Sequence, residues 1–546
     1  MAASRRTLIS RTAAICLIGL FSAGAATGSN DRSQAGDAES RCNAIAGMAR
    51  GSLEIGTAEF VPAGPFAAPG TGPAQAIDLP AHCRVRGMIA RRIGAGEREY
   101  GIGFELRLPM DWNRRFLFQG GGGLDGVVLP AVGQVANSAG DPALVRGYAV
   151  ASTDSGHSGS PIDASFGIDQ QARVDYGYNA LDKVTQAAKR IIAEFYSGDP
   201  DYSYFLGCSN GGRQAMVASQ RLPLEFDGIV AGDPAMGFSR LAIGEVWNTH
   251  VVARISPKDS QGRPILSRAF SDGDLSLVRD GVLRQCDAKD GLADGMINDW
   301  QGCDFTPQQI ACKPGQQGEC LAPEKAAALA DLFRGPLAPD GSHIYGPFNY
   351  DTGVASPAFR GMRLGTSETG EPNSADATLG LGQFKYLQLT PPEPDRGPFD
   401  PVDLAEALER TRHSAALVDG DSPLLSTFAR HGKMIVYNGL SDQGMASNVI
   451  VDWYRKMLDA TGTQGAGAVR MFFVPGMLHC GGGEATDKFE MLDAIVDWVE
   501  HGRAPDRIAA KGDAFPGVTR PLCPFPTVAR YKGGDPNKAE SFACEE

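Results

Sequence analysis

Ser209 stands in Gly207-Cys208-Ser209-Asn210-Gly211, a stretch of the form G-x-S-x-G. A serine hydroxyl is a poor nucleophile at its own pKa. It becomes a good one when a histidine takes its proton and a carboxylate orients that histidine. The histidine expected here is His479, in Pro475-Gly476-Met477-Leu478-His479-Cys480. Of the 8 histidines, it alone both follows the last expected sheet strand and adjoins a cysteine. The expected acid is Asp442, reached from Val436-Tyr437-Asn438-Gly439-Leu440-Ser441 in the loop that leaves a strand. Asp419 and Asp421 are rivals by position, but no strand ends at either. Asp233 follows a strand yet comes before a long insertion. His157, at another strand end, reads as structural because it precedes the serine and has no anchor beside it. The chemistry these types predict is acyl transfer through Ser209.

A developing oxyanion needs N–H donors. Arg115-Phe116-Leu117-Phe118-Gln119 reads as a strand running into Gly120-Gly121-Gly122-Gly123, where backbone N–H groups can face a cleft with no side chain in the way. That loop is expected to supply half of an oxyanion hole. A second constellation is Cys286-Asp287-Ala288-Lys289-Asp290-Gly291-Leu292-Ala293-Asp294-Gly295-Met296, closed by Cys303. The carboxylates of Asp287, Asp290 and Asp294, with the carbonyls of Leu292 and Met296, offer the all-oxygen set that calcium prefers. A solvated acidic turn is the competing reading, and the spacing is not that of an EF-hand.

The cysteines fall into pairs. Of 11, Cys16 lies in an N-terminal apolar stretch, and eight of the ten others place as 42 with 83, 286 with 303, 312 with 320 and 523 with 544. Cys208 and Cys480 remain, each beside a residue assigned to chemistry. A bond between them requires Cα atoms roughly 4.4–6.8 Å apart, so it would hold Ser209 and His479 within reach of each other. No C-x-x-C pair suggests zinc.

Elements that could position these residues follow from periodicity. Tyr202 to Cys208 reads as a buried strand ending at Ser209, and an amphipathic run with Met216, Val217 and Leu222 follows it, the context of a nucleophile elbow. Further strands are expected at 100–109 (alternating, hence half-buried), 148–154, 227–232, 433–437 and 469–474, with helices at 180–196, 447–460 and 488–502. The alternation makes an α/β sheet, and the order Ser209, Asp442, His479 is that of α/β-hydrolases. The stretch from Arg41 to about Pro80 is expected to wind over the surface. From 236 to 428 the sheet rhythm stops, predicting a lid domain inserted into a catalytic domain of 40–235 and 429–546. Loops in it such as 364–381 are too long to be simple connections.

At 546 residues, two domains or one core with a large insertion is the expectation. A net charge of −13 leaves no basic stripe for nucleic acid. No apolar run reaches the roughly 18 residues of a membrane span. Arg5, Arg6 and Arg11, then Ala13 to Phe21, then Ser22-Ala23-Gly24-Ala25-Ala26 predict a signal peptide at 1–26 and a secreted or periplasmic protein.

Gly-Cys-Ser-x-Gly-Gly, the Asp-x-x-Asp-Gly-x-x-Asp-Gly loop and Pro-Gly-Met-x-His-Cys together resemble the tannase and feruloyl esterase family, from about Cys42 to Cys544. The resemblance implies a lidded α/β-hydrolase with a Ser209–His479–Asp442 triad, an oxyanion hole from the Gly123 and Asn210 N–H groups, and structural calcium at Asp287, Asp290, Asp294, Leu292 and Met296. In terephthalate-monoester hydrolases of this family a lid Arg grips the free carboxylate. Here no Arg lies between Leu364 and Phe384; Ala375 takes that place, Met362 stands where an aromatic would stack, and Asn210 rather than an acid follows the serine. The expectation is therefore an esterase for feruloyl or hydroxycinnamoyl esters. Galloyl esters, terephthalate monoesters, and a catalytically silent calcium-dependent binding protein are the other readings. The acyl group, the alcohol and the oligomeric state stay open.

Overall fold

The computed structural model describes residues 28–67, 76–316 and 318–546; the expected signal peptide at 1–26, with Cys16, lies outside them. Nine strands form one sheet: β1 Leu53–Val61, β2 His82–Ile93, β3 Glu99–Pro109, β4 Arg115–Gln119, β5 Ala149–Thr153, β6 Tyr202–Cys208, β7 Gly228–Gly232, β8 Lys433–Gly439 and β9 Val469–Val474. Their spatial order is β1-β2-β3-β5-β4-β6-β7-β8-β9. The first three run antiparallel, and from β5 to β9 every neighbour is parallel.

The parallel strands are short apolar runs because both of their faces are covered. In β6, Phe205 packs with Phe118 and Phe226 on one face, while Tyr204 and Leu206 join Val230, Tyr437 and Phe472 on the other. Helix α1 (Ala180–Tyr196) covers the first face with Leu181, Val184, Ala188, Ile191 and Phe195, at helical spacing. Helix α6 (Met491–His501) covers the second with Leu492, Ile495 and Trp498. The fold is α/β, with helices on both sides of a central sheet.

Two expectations at the antiparallel edge are corrected. Residues 53–61 do not wind over the surface; they are β1, paired to β2 from Leu53↔Ile89 to Val61↔His82. The alternation Leu53-Glu54-Ile55 was the missed signal, diluted by Gly56 and the surrounding Ala and Pro. The strand at 100–109 is not half-buried but buried on both faces. Its polar residues satisfy one another inside: Arg107 Nε donates to Glu105 Oε1 at 2.7 Å, and Arg86 Nε donates to Glu105 Oε2 at 2.8 Å. Burial works against the Glu105 charge, but the two arginines and the Ala131 N–H hold its carboxyl below its usual value.

Between β7 and β8 the sheet gains no strand among the described residues. Helices α3 (Phe238–Ile255), α4 (Asp272–Cys286) and α5 (Pro323–Arg334) gather there around Val251, Leu275, Val278, Phe305, Leu329 and Phe333, a core separate from the sheet's. The insertion reaches back to the strand ends. Asp351 Oδ2 accepts from the Gly476 N–H at 2.8 Å, and the Gly353 N–H donates to Ser441 Oγ at 2.9 Å. All five expected disulfides form: Cys42–Cys83, Cys208–Cys480, Cys286–Cys303, Cys312–Cys320 and Cys523–Cys544.

Candidate active site

Ser209 sits directly past β6, where helix α2 (Asn210–Arg221) begins. Its backbone has φ 64° and ψ −126°, a strained conformation for a residue with a side chain. The turn is tight enough to require its glycines. A Cβ on Gly207 would lie 2.4 Å from the Gly211 carbonyl oxygen, and one on Gly211 would lie 2.6 Å from that of Gly121. The strain lifts Ser209 Oγ out of the sheet edge toward the loop after β9.

That loop brings His479. Ser209 Oγ lies 2.8 Å from His479 Nε2, and Asp442 Oδ2 lies 2.7 Å from His479 Nδ1. Asp442 leaves β8, and its other oxygen accepts from the Gly444 and Met445 N–H groups at 2.8 and 2.9 Å. Burial opposes the Asp442 charge, but His479 and those N–H donors hold its carboxyl below the usual carboxylate range. Burial likewise opposes a charged imidazole, and the charge and hydrogen bond of Asp442 outweigh it, so His479 is a stronger base than a free histidine. The His479 side chain remains 27% exposed, enough for a reactant to meet it.

The Cys208–Cys480 bond joins the residues next to Ser209 and His479, with Cα atoms 6.0 Å apart. It spans 272 residues of sequence, across the whole insertion. The glycine loop after β4 packs against the same turn, where a Cβ on Gly120 would lie 2.7 Å from Gly211 Cα. Gly123 has φ +56° and packs under Pro161, whose carbonyl oxygen would be 2.5 Å from a Cβ at 123. Among the described residues, neither the Gly123 nor the Asn210 N–H donates to another group of the protein.

A family model described as tannase and feruloyl esterase matches residues 83–545. The chain belongs to that family. It is 38% identical over 527 residues to the mono(2-hydroxyethyl) terephthalate hydrolase of Piscinibacter sakaiensis, covering 88% of this chain and 87% of that protein. It is 28% identical to a probable feruloyl esterase of Arthroderma benhamiae, covering 90% of each. The solved structure of feruloyl esterase B from Aspergillus oryzae superposes with a TM-score of 0.76 at 24% identity, over 93% of this chain and all of that one. Tannin acyl hydrolase from Aspergillus niger gives 0.68 at 19%, over 91% and 92%. As a member of the tannase and feruloyl esterase family the chain is a carboxylic-ester hydrolase.

Around the Ser209–His479–Asp442 cluster lie residues that sequence reading did not single out, among them Asp125, Tyr176 and Gln214. The Asn210 side chain is clamped: its Oδ1 accepts from Tyr176 Oη at 3.0 Å and Arg213 Nε at 2.7 Å, and its amide donates to Asp125. Asp125 also accepts from Ser155 and from Gln214 Nε2 (2.8 Å), and Gln214 Oε1 accepts the Gly121 N–H at 2.9 Å. One buried network thus fixes both sides of the expected oxyanion hole. Burial pushes the Asp125 carboxyl up to about 6. The one sequence clue was Arg213-Gln214, two large polar residues on a helix that packs into the core.

From the insertion, Arg363 reaches the carbonyl of Gln443, and Tyr345 Oη donates to the Gly444 carbonyl at 3.3 Å, so both steady the Asp442 loop. The rival acids are occupied elsewhere. Asp419 accepts from the Ser239 N–H and hydroxyl at 2.7 and 2.8 Å, and Asp421 pairs with Arg240 at 2.6 Å. His157 is buried, its ring stacked 3.7 Å from Phe166, and burial lowers its pKa to about 4. Asp233, passed over for its place in the chain, lies beside Asp442 and His479 after all.

The acidic loop lies apart from this cluster, against the C-terminal segment. Asp287 Oδ1 accepts from the Asp294 and Gly295 N–H groups at 3.1 and 3.0 Å; Asp290 Oδ2 accepts from Asn298 Nδ2 at 2.7 Å, and Asp294 pairs with Arg520. Burial raises the pKa of Asp287, and that of Asp290 to about 6.

Proposed function

We propose that this protein is an exported serine esterase that hydrolyses esters of aromatic acids, of feruloyl or hydroxycinnamoyl type, through an acyl-enzyme. The observation that carries the mechanism is the unbroken chain Ser209 Oγ–His479–Asp442, at 2.8 and 2.7 Å. Ser209 Oγ attacks the ester carbonyl as His479 Nε2 takes its proton, and Asp442 compensates the imidazolium that forms. The Gly123 and Asn210 N–H groups receive the oxyanion. Collapse breaks the bond to the alcohol, which leaves with the proton from His479. Water then repeats the sequence on the acyl-enzyme, its proton going to His479 and on to Ser209 as the acid leaves.

The aromatic acyl group is supported by the family and by the insertion, which we read as a lid over the site. At the lid positions named above the chain has Met362 and Ala375. The neighbouring Arg363 is committed to Asp376, with Nη1 at 2.9 Å from both carboxylate oxygens, and so is not free for a substrate carboxylate. A second reading, terephthalate monoesters, is favoured by the 38% identity to a mono(2-hydroxyethyl) terephthalate hydrolase. Purified protein assayed on feruloyl, galloyl and mono(2-hydroxyethyl) terephthaloyl esters decides between them. A kcat/KM highest for the terephthalate ester would overturn the choice of acyl group, and activity surviving Ser209→Ala would overturn the mechanism.

Structural calcium belongs to the same proposal. Asp287, Asp290 and Asp294 with the Leu292 and Met296 carbonyls would hold it, and burial that raises the Asp287 and Asp290 pKa values is the cost that a divalent cation reverses. Its contribution would be to fix the loop between α4 and Cys303. Five disulfides suit an oxidising compartment, and export follows from the expected signal peptide.

A further inference from the structure

We propose that Asp233 is a second acid of the site, a positioning residue that keeps a proton beside Asp442 and takes over the negative charge facing His479 when Asp442 is lost. This rests on the serine mechanism above. Strands β7 and β8 are parallel neighbours, paired up to Gly232↔Tyr437. Each delivers a carboxyl just past its C-terminal end, Asp233 from the first and Asp442 from the second. One oxygen from each and a ring nitrogen of His479 all lie within 4.8 Å of one another. Asp233 is wholly buried, and its φ of +35° strains a residue that has a side chain. Its N–H donates to the Tyr437 carbonyl at 2.8 Å, which anchors it to the neighbouring strand end.

The two Asp233 oxygens are unlike. Oδ1 accepts the Gly439 N–H at 2.8 Å. Oδ2 lies 3.5 Å from Cys208 Sγ, a disulfide sulfur with no proton to give. Among the described residues no N–H donates to Oδ2. Two buried carboxyls this close do not both ionise, and the one with the poorer set of donors keeps the proton. Asp442 has two N–H donors and the imidazole, whereas Asp233 has one N–H. Burial first, and the Asp442 charge second, push the Asp233 carboxyl well above the usual carboxylate range. The groups facing it are Asp442 from the β8 loop, His479 from the β9 loop, the Tyr437 phenol on β8 and the bridge sulfurs.

With Asp442 neutralised, the repulsion that adds to burial in keeping the Asp233 proton disappears, and the His479 charge then favours its release. That proton goes to solvent, and the anion left on Asp233 faces the imidazolium formed when Ser209 is deprotonated. A purely structural Asp233 would only hold the Gly439 N–H, a task asparagine at 233 does equally well through its own Oδ1.

The test measures kcat and its pH profile for the full chain with Asp233→Asn, Asp442→Asn, both together, and Ser209→Ala, on a p-nitrophenyl acyl ester. Asp233→Asn is expected to cost about tenfold more in the Asp442→Asn background than in the native one, a coupling that independent sites lack. The residual activity of Asp442→Asn should rise with pH along a limb that is missing from the double variant. Equal costs in the two backgrounds overturn the proposal. If Asp233→Asn does not fold, the His479 pKa read by NMR in Asp442→Asn alone decides. A value kept above that of free imidazole supports an ionised Asp233, and a fall below it, burial being unopposed, overturns it. Activity surviving in Ser209→Ala would instead remove the serine mechanism, whatever the coupling shows.

Discussion

Replacing both Cys208 and Cys480 with alanine removes the one covalent link between the serine turn and the histidine loop. The bridge spans 272 residues. In the chain-entropy treatment a loop of that size restricts the unfolded chain by about 5 to 6 kcal/mol. The nested bridges Cys286–Cys303 and Cys312–Cys320 shorten the loop by too little to change a logarithm. With about 2.1 cal/mol/K of unfolding entropy per residue, the loss corresponds to a fall in Tm of about 5 °C. The catalytic effect is separable. Both joined segments are backbone-strained, with φ 64° at Ser209 and 60° at Cys480, and without the bond each is free to relax. A misplacement near 1 Å costs about a hundredfold in rate, so kcat should fall by at least about tenfold when assayed well below the Tm, with KM changed less. The assay is steady-state hydrolysis of a p-nitrophenyl ester beside a calorimetric melt. A double variant that melts lower but keeps near-native kcat would refute the brace, leaving the disulfide a stability element only.

Asp442→Asn should lower kcat by about 10⁴-fold with the fold intact, because the acid fixes the imidazole tautomer; a larger loss from Asp421→Asn, measured in the same assay, would move the acid elsewhere. The rise of kcat/KM with pH should have its midpoint above the 6.5 of an ordinary imidazole, since His479 must be neutral to accept the serine proton and Asp442 raises its pKa. The same shift stabilises the fold fully below about 6.5 and is lost as pH rises through the raised value, a dependence that melts of the Asp233→Asn, Asp442→Asn double variant should lack. Chelation should lower the Tm and added calcium restore it by mass action; melts indifferent to both chelator and Asp290→Ala would remove the calcium site.

The central strands, α1 and the elbow were legible in the sequence because their apolar runs have one period each and stop within a few residues of a glycine. Ser209, Asp442 and His479 could be chosen because each follows such a run, and the cysteines beside two of them linked those two ends of the chain. Strand β1 escaped because edge strands mix polar residues and glycine into the alternation. The burial of Glu105 and Arg107 escaped because charged residues in a strand signal solvent unless their partners are known. The network of Asp125, Asn210, Gln214 and Tyr176, and the approach of Asp233 to Asp442, lie between residues far apart in sequence. Sequence spacing carries no information about which strand ends are neighbours in the sheet. The residue types and their order set which reaction is possible, and the strand order β6-β7-β8-β9 alone decides which carboxyls stand beside the histidine.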